Sequence, residues 1–372
     1  MPRQISQSEE ARRRYPDELQ LLAPALNRSD PLADAAMGAL ACHPRRERHQ
    51  ILSGALTGRP CGLEPLDTMV AEARLLTRRV NGSQLRRALR PFRRAGFLGG
   101  LSLGLHSLVL GYASPLGNKP LALSGHLLRQ ADQRLNATAK FVSAVCSEGG
   151  MHADGVGFAS ALRVRLIHAE ARDRALAHSA WEEDWGLPIN QHDMLSTILL
   201  FSTVFLEGIS KMGVTVSDQE ADDYQEMWNL VGRVIGVETS LLPGSGQQAA
   251  KQAAFVRLTL GPPDRDARAL VTALLSGPLR LAQNEQEKRR ARGQVAFATG
   301  LCRGLIGAQL ADELQLAKTP WRYALPLMHS TVSRLELLRG ELSTVNTFVE
   351  SMGEQYWRRL VELGVDGRGD GN

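Results

Sequence analysis

Along most of the chain, apolar residues return every three or four positions with polar residues between them, the period of amphipathic helices. After a polar, basic start, a first short helix is predicted over 16–26. Asp30-Pro31-Leu32-Ala33-Asp34 then reads as a helix start: Asp30 caps, Pro31 suits the first helical position, and Leu32, Ala36, Met37 and Leu40 follow at helical spacing. Two further helical patches within 48–80 are broken by glycines at 54–62 and by Pro65. The glycine-rich apolar run 99–112 predicts a buried helix. A long helix is expected over 121–145, with Leu127, Leu128, Ala131, Leu135, Thr138, Val142 and Val145 on one face. After the glycine-punctuated loop 148–157, a strong helical run begins at Phe158, and the turn Pro188–Asp193 opens an apolar helix to about Met212, with Asp193 as its expected cap. Ser217 with Glu220 has the spacing of a capping box and opens a helix over 218–235. More helices are expected over 247–260, 264–287, 294–314 and 321–338, and a disordered tail from Asp366.

Alternation of period two never lasts five residues, so no strand is predicted. The expected fold is all-α. The expected organisation is an arm over 1–29, one all-helical domain over 30–345, and a C-terminal helix with a disordered tail over 346–372.

Composition narrows the class. The 372 residues are 43% apolar and 22% charged, enough to bury a sizeable core. A formal charge of +5 is mildly basic and gives no nucleic-acid footprint by itself. The arginine-rich stretch 78–94 is read first as a solvated face beside Leu85, Leu89 and Phe92, with a phosphate-gripping helix or a channel lining for an acidic partner as alternatives. Four cysteines lie far apart with no CxxC pair, which argues against a disulfide framework and fits a reducing compartment. The N-terminus has no signal-peptide pattern, and the longest apolar run, from Met194 to Leu206, is shorter than the ~20 residues of a membrane span. The expectation is a cytoplasmic protein without a transmembrane segment; oligomeric state is not readable.

Candidate chemistry gathers around His168. On its helix, Val164, Ala171 and Ala175 share its line, all small or slim, while Leu162, Leu166 and Leu176 anchor other faces. A flat macrocycle can approach such a stripe closely, and Arg172 lies one turn on. A core histidine satisfied by one hydrogen bond is the bland alternative, and the same choice applies to His106. A second alternative is the order His168, His192-Asp193, then Asp222 or Asp223, which suits a divalent-metal phosphohydrolase built of helices.

Six ordered pieces carry a resemblance: RVRLIHAEAR at 163–172, W-x-x-D-W-G-x-P-I-N-Q-x-D-M at 181–194, T-x-L-x-F-S at 197–202, G-I-x-K-M-G-V at 208–214, W-x-x-V-G-x-x-I-G-V at 228–237 and L-L-P at 241–243. With DPLADA at 30–35, they resemble the latex-clearing protein and MpaB family of oxygenases. The resemblance implies a globin-like helical core holding haem b, with His168 as the proximal iron ligand and Arg172 beside it. It implies a distal helix carrying Arg134 and Thr138, as catalytic or haem-binding groups, and dioxygen cleavage of a carbon–carbon double bond in a small hydrophobic, isoprenoid-like substrate. The family's distal lysine falls on Ala137, which cannot ligate, and Lys140 is the one nearby substitute. Asn190, Gln191 and Asp193 are assigned to turn and cap, and Trp181 and Trp185 to packing. A haem-binding protein without turnover remains a third reading.

Overall fold

A computed structural model describes residues 5–78, 82–123, 131–341 and 343–366. Among them every regular element is a helix, and no strand occurs. The calls on Leu127 and Leu128, and on the tail beyond Asp366, lie outside the described residues.

The central helix, Val156–Leu176, packs on Pro31–Ala41, Ala131–Val145 and Asp218–Ile235. Phe158, Leu162 and Leu166 anchor it in the core, as their spacing predicts. Leu176 does not: it is half exposed at the C-terminal end, beyond the last neighbouring helix.

The expected helix 194–212 is two helices, Gln191–Phe201 and Thr203–Lys211. Ser202 breaks it, because its hydroxyl donates back to the Ile198 carbonyl at 2.8 Å and competes with the helical bond. The cap is Asn190, whose Oδ1 accepts from Asp193 N at 2.9 Å. Asp193 therefore lies inside the first turn and is not the cap. Elsewhere the cap signals hold. Ser217 and Glu220 form a capping box, and Asp30 accepts from Ala33 N at 3.2 Å.

The expected helix 264–287 ends early. Arg265–Leu275 and Gly277–Leu281 are separate, and Asn284 opens a new helix, Glu285–Ile306, by accepting from Glu287 N at 2.9 Å. The apolar run 99–112 is helical but irregular: Arg90–Ser102 kinks at Gly96 (φ 45), and Leu103–Ser107 is a π-helical turn leading into Leu108–Tyr112.

Described residues near both termini pack on the core. Ala11 and Leu22 are fully buried, and Ser6 N donates to the Thr259 carbonyl at 3.2 Å, which holds the helices Ser8–Arg14 and Pro16–Leu22 against it. The C-terminal helix, Ser343–Asp366, crosses Arg90–Ser102 at two glycines, Gly353 and Gly96. A Cβ at Gly353 would overlap the Arg93 carbonyl oxygen, so only glycine allows this approach. One turn on, Trp357 stacks on Phe92 at 4.2 Å between centroids and donates to the Phe92 carbonyl at 3.1 Å.

Two stretches, Gly82–Tyr112 and Gln191–Lys211, are long and apolar enough to cross a bilayer by length and composition; their most apolar windows are 50% and 61% buried within the fold.

Candidate active site

The central helix, the helix Ala131–Val145, the apolar helix Gln191–Phe201 and the turn of chain from Leu108 to Asn118 enclose a cavity of about 410 Å³. That lies in the range of cofactor-sized pockets, roughly 300–1,000 Å³. Its walls are largely apolar. Phe141, Phe201 and Trp228 form an aromatic floor, with Phe201 and Trp228 stacked at 5.3 Å.

His168 lines this cavity together with Val164, its neighbour one turn back. Its Nδ1 is buried and has no hydrogen-bond partner among the described residues. No backbone carbonyl among the described residues holds this nitrogen. The imidazole pKa is lowered to about 4, chiefly by burial and next by the nearby Arg172 guanidinium, with Asp30 partly offsetting both. The ring is therefore neutral at physiological pH, with one nitrogen bare of a proton. His106 is the contrast. Its Nδ1 pairs with the Val204 carbonyl at 3.1 Å and its Nε2 lies 3.4 Å from Lys211 Nζ, so it is a satisfied core histidine.

Arg134 and Thr138, one turn apart, both line the cavity, with Ala137 beside them. The Arg134 guanidinium lies 5.6 Å from the Tyr112 ring centroid and has no ion pair among the described residues. Lys140 is exposed and does not line the cavity. Arg172 is not a wall residue either. It is buried, donates to Asp34 Oδ1, and donates to the Ile189 carbonyl at 2.9 Å.

The second metal pattern does not assemble. Asp222 accepts from Gly246 N at 2.7 Å and Asp223 from Arg87 Nε at 2.9 Å, while His192 has only Asp193 near it, at 3.8 Å. Among the described residues no three His, Cys, Asp or Glu side chains converge on a point.

The wall also includes residues that the sequence reading assigned elsewhere or did not single out. Asp193 lines the cavity. Thr197 does too, while also donating to the Asp193 carbonyl at 3.0 Å. Tyr112, Asn118, Trp228 and Arg257 carry no motif that marks them as wall, since each comes from a different helix or loop. The Trp181–Trp185 pair packs edge to face at 5.3 Å in its own loop, as expected.

Fold and site together define a class: an all-helical protein that presents one neutral, unpartnered imidazole to a largely apolar cavity of cofactor size. A profile of the family described as "ER-bound oxygenase mpaB/B'/Rubber oxygenase, catalytic domain" matches residues 92–334, and the chain belongs to that family. It is similar to the rubber oxygenase of a Streptomyces species, 26% identical over 173 residues, which are 43% of this chain and 38% of that protein. The aligned part thus spans well under half of that relative. Its fold is similar to a solved structure of latex clearing protein LCP in the closed state, with a TM-score of 0.68 at 20% identity, over 89% of this chain and 90% of that one.

Proposed function

We propose that this protein is a haem b-dependent oxygenase that uses dioxygen to cleave or oxidise a carbon–carbon double bond of a small isoprenoid-like or otherwise unsaturated substrate. The observation that carries the proposal is His168, an uncharged imidazole without a hydrogen-bond partner for its buried Nδ1, on the wall of a largely apolar cavity. An orphaned buried polar atom normally costs stability, on the order of 1–3 kcal/mol, and a bound group explains why the fold keeps one here.

The residues present fit a haem. His168 would be its protein ligand through an imidazole nitrogen, and the narrow Val164 leaves room along the same wall. Arg134, a cation at the cavity with no carboxylate partner among the described residues, suits a propionate. When bound, haem supplies an iron position at which dioxygen can be activated.

What the chain itself contributes is placement and dryness. The floor of Phe141, Phe201 and Trp228 selects an apolar substrate and excludes water around its double bond. The Thr138 hydroxyl is a donor on the wall, able to hydrogen-bond an oxygen atom beside the substrate. Ala137, at the position where the family resemblance implies a lysine, offers no nitrogen that could compete for the iron.

The test is pigment first, then product. Protein reconstituted with haem is expected to be red-brown with a Soret band and to lose it in His168→Ala. Oxygen uptake with a panel of unsaturated terpenoids, followed by mass spectrometry, is expected to give carbonyl products. Wild-type protein that stays colourless after reconstitution refutes the proposal.

A further inference from the structure

We infer that Asp30 and Asp34 are positioning residues for His168: acting through Arg165 and Arg172, they fix the rotation of the central helix and partly offset the two positive charges flanking the imidazole. The inference rests on the proposed role of His168 as the iron ligand.

The two arginines lie three residues before His168 and four after it, so both project close to its side of the helix. Each meets one carboxylate from the start of a single helix, Pro31–Ala41. Arg165 is held bidentately, Nε to Asp30 Oδ2 at 2.6 Å and Nη2 to Asp30 Oδ1 at 2.8 Å, with both side chains buried. Arg172 Nη1 donates to Asp34 Oδ1, and its Nη2 is tied to the Ile189 carbonyl. Two acids one turn apart thus grip two arginines two turns apart, with His168 between them. The strap that carries the acids is itself pinned: Gln191 Nε2 donates to the Ser29 and Gly236 carbonyls, both at 2.9 Å, and Gln191 N donates to Arg28 O at 2.8 Å.

This arrangement does more than join two helices. A guanidinium beside a metal ligand in a dry interior acts on the metal's charge over several ångströms. Left uncompensated, Arg172 favours ferrous over ferric iron; pairing with Asp34 weakens that effect. A clamp at both ends also prevents the helix from turning the imidazole away. Partners beyond the direct ligands commonly change metal affinity by about 10–100-fold.

The experiment uses the full chain reconstituted with haem and compares Asp34→Asn, Asp34→Glu and Arg172→Gln. The readouts are haem affinity from Soret titration, the midpoint potential by spectroelectrochemistry, and thermal melting of the apoprotein. Asp34 is 36% exposed, and Asn keeps an amide oxygen that can accept from Arg172, so Asp34→Asn is expected to fold, with a lower melt because the buried guanidinium loses its counter-charge. It should raise the midpoint potential and weaken haem affinity on the order of 10-fold. Asp34→Glu should restore both, and Arg172→Gln should lower the potential. Equal potentials and affinities in wild type and Asp34→Asn overturn the inference. So does a shift in the same direction for Asp34→Asn and Arg172→Gln, which marks a loosened helix and not a charge effect. A wild-type protein that takes up no haem fails the proposed function instead.

Discussion

Arg165→Met tests the energetics behind the site. It keeps an aliphatic stem in the core but removes the guanidinium that gives Asp30 two of its three hydrogen bonds. Asp30 is 4% exposed and Arg165 8%, so the substitution leaves a buried carboxylate held only by Ala33 N. Breaking a buried pair from one side costs about 3–5 kcal/mol, a large share of a folded chain's total of about 5–15 kcal/mol. Removing both charges is expected to be far milder. Asn at position 30 keeps the cap, so Asp30→Asn with Arg165→Met should recover most of the loss. Urea unfolding followed by far-ultraviolet circular dichroism measures both variants. An open groove of about 510 Å³ borders the two residues. If water in that groove solvates the pair, it behaves as a surface bridge worth about 0–1 kcal/mol. A single-variant loss below about 1 kcal/mol, or a double variant no better than the single, therefore refutes the reasoning.

Three further outcomes are expected. Gly353→Ala forces a Cβ into the Arg93 carbonyl, so the C-terminal helix should undock and melting should drop by several degrees in differential scanning fluorimetry; an unchanged melt contradicts the docking. His168 and His106 both have pKa values lowered from 6.5 to about 4, chiefly by burial, so each native ring is neutral and the unfolded chain binds protons first. The stability they contribute is full above pH 6.5 and is lost as pH falls towards 4; apoprotein denaturation at stepped pH should show this, with a shallower slope in His106→Gln. Cys146 and Cys302 are buried with thiol pKa values raised by desolvation, whereas Cys42 is exposed, so a thiol reagent should label Cys42 in the native protein and reach the buried pair only on unfolding.

Sequence alone determined that the protein is helical and where several helices begin, and it pointed to His168 as the candidate ligand. Helical period and caps are local properties, carried by residues within one or two turns of each other, and Asp30, Ser217 and the His168 stripe are of that kind. The family resemblance also implied Arg134, Thr138 and His168 as site residues, and the structure puts all three on one cavity. Tertiary structure decided what depends on distant partners. Asp193 lost its role as cap to Asn190 and became wall. Arg172 was drawn away from the cavity by Asp34, a residue 138 positions distant in sequence. The split at Ser202, the docking of Gly353 on Arg93, and the aromatic floor from three separate helices follow from packing between elements. No periodicity within a single helix encodes them, because the energy that selects them comes from surfaces meeting only once the chain is folded.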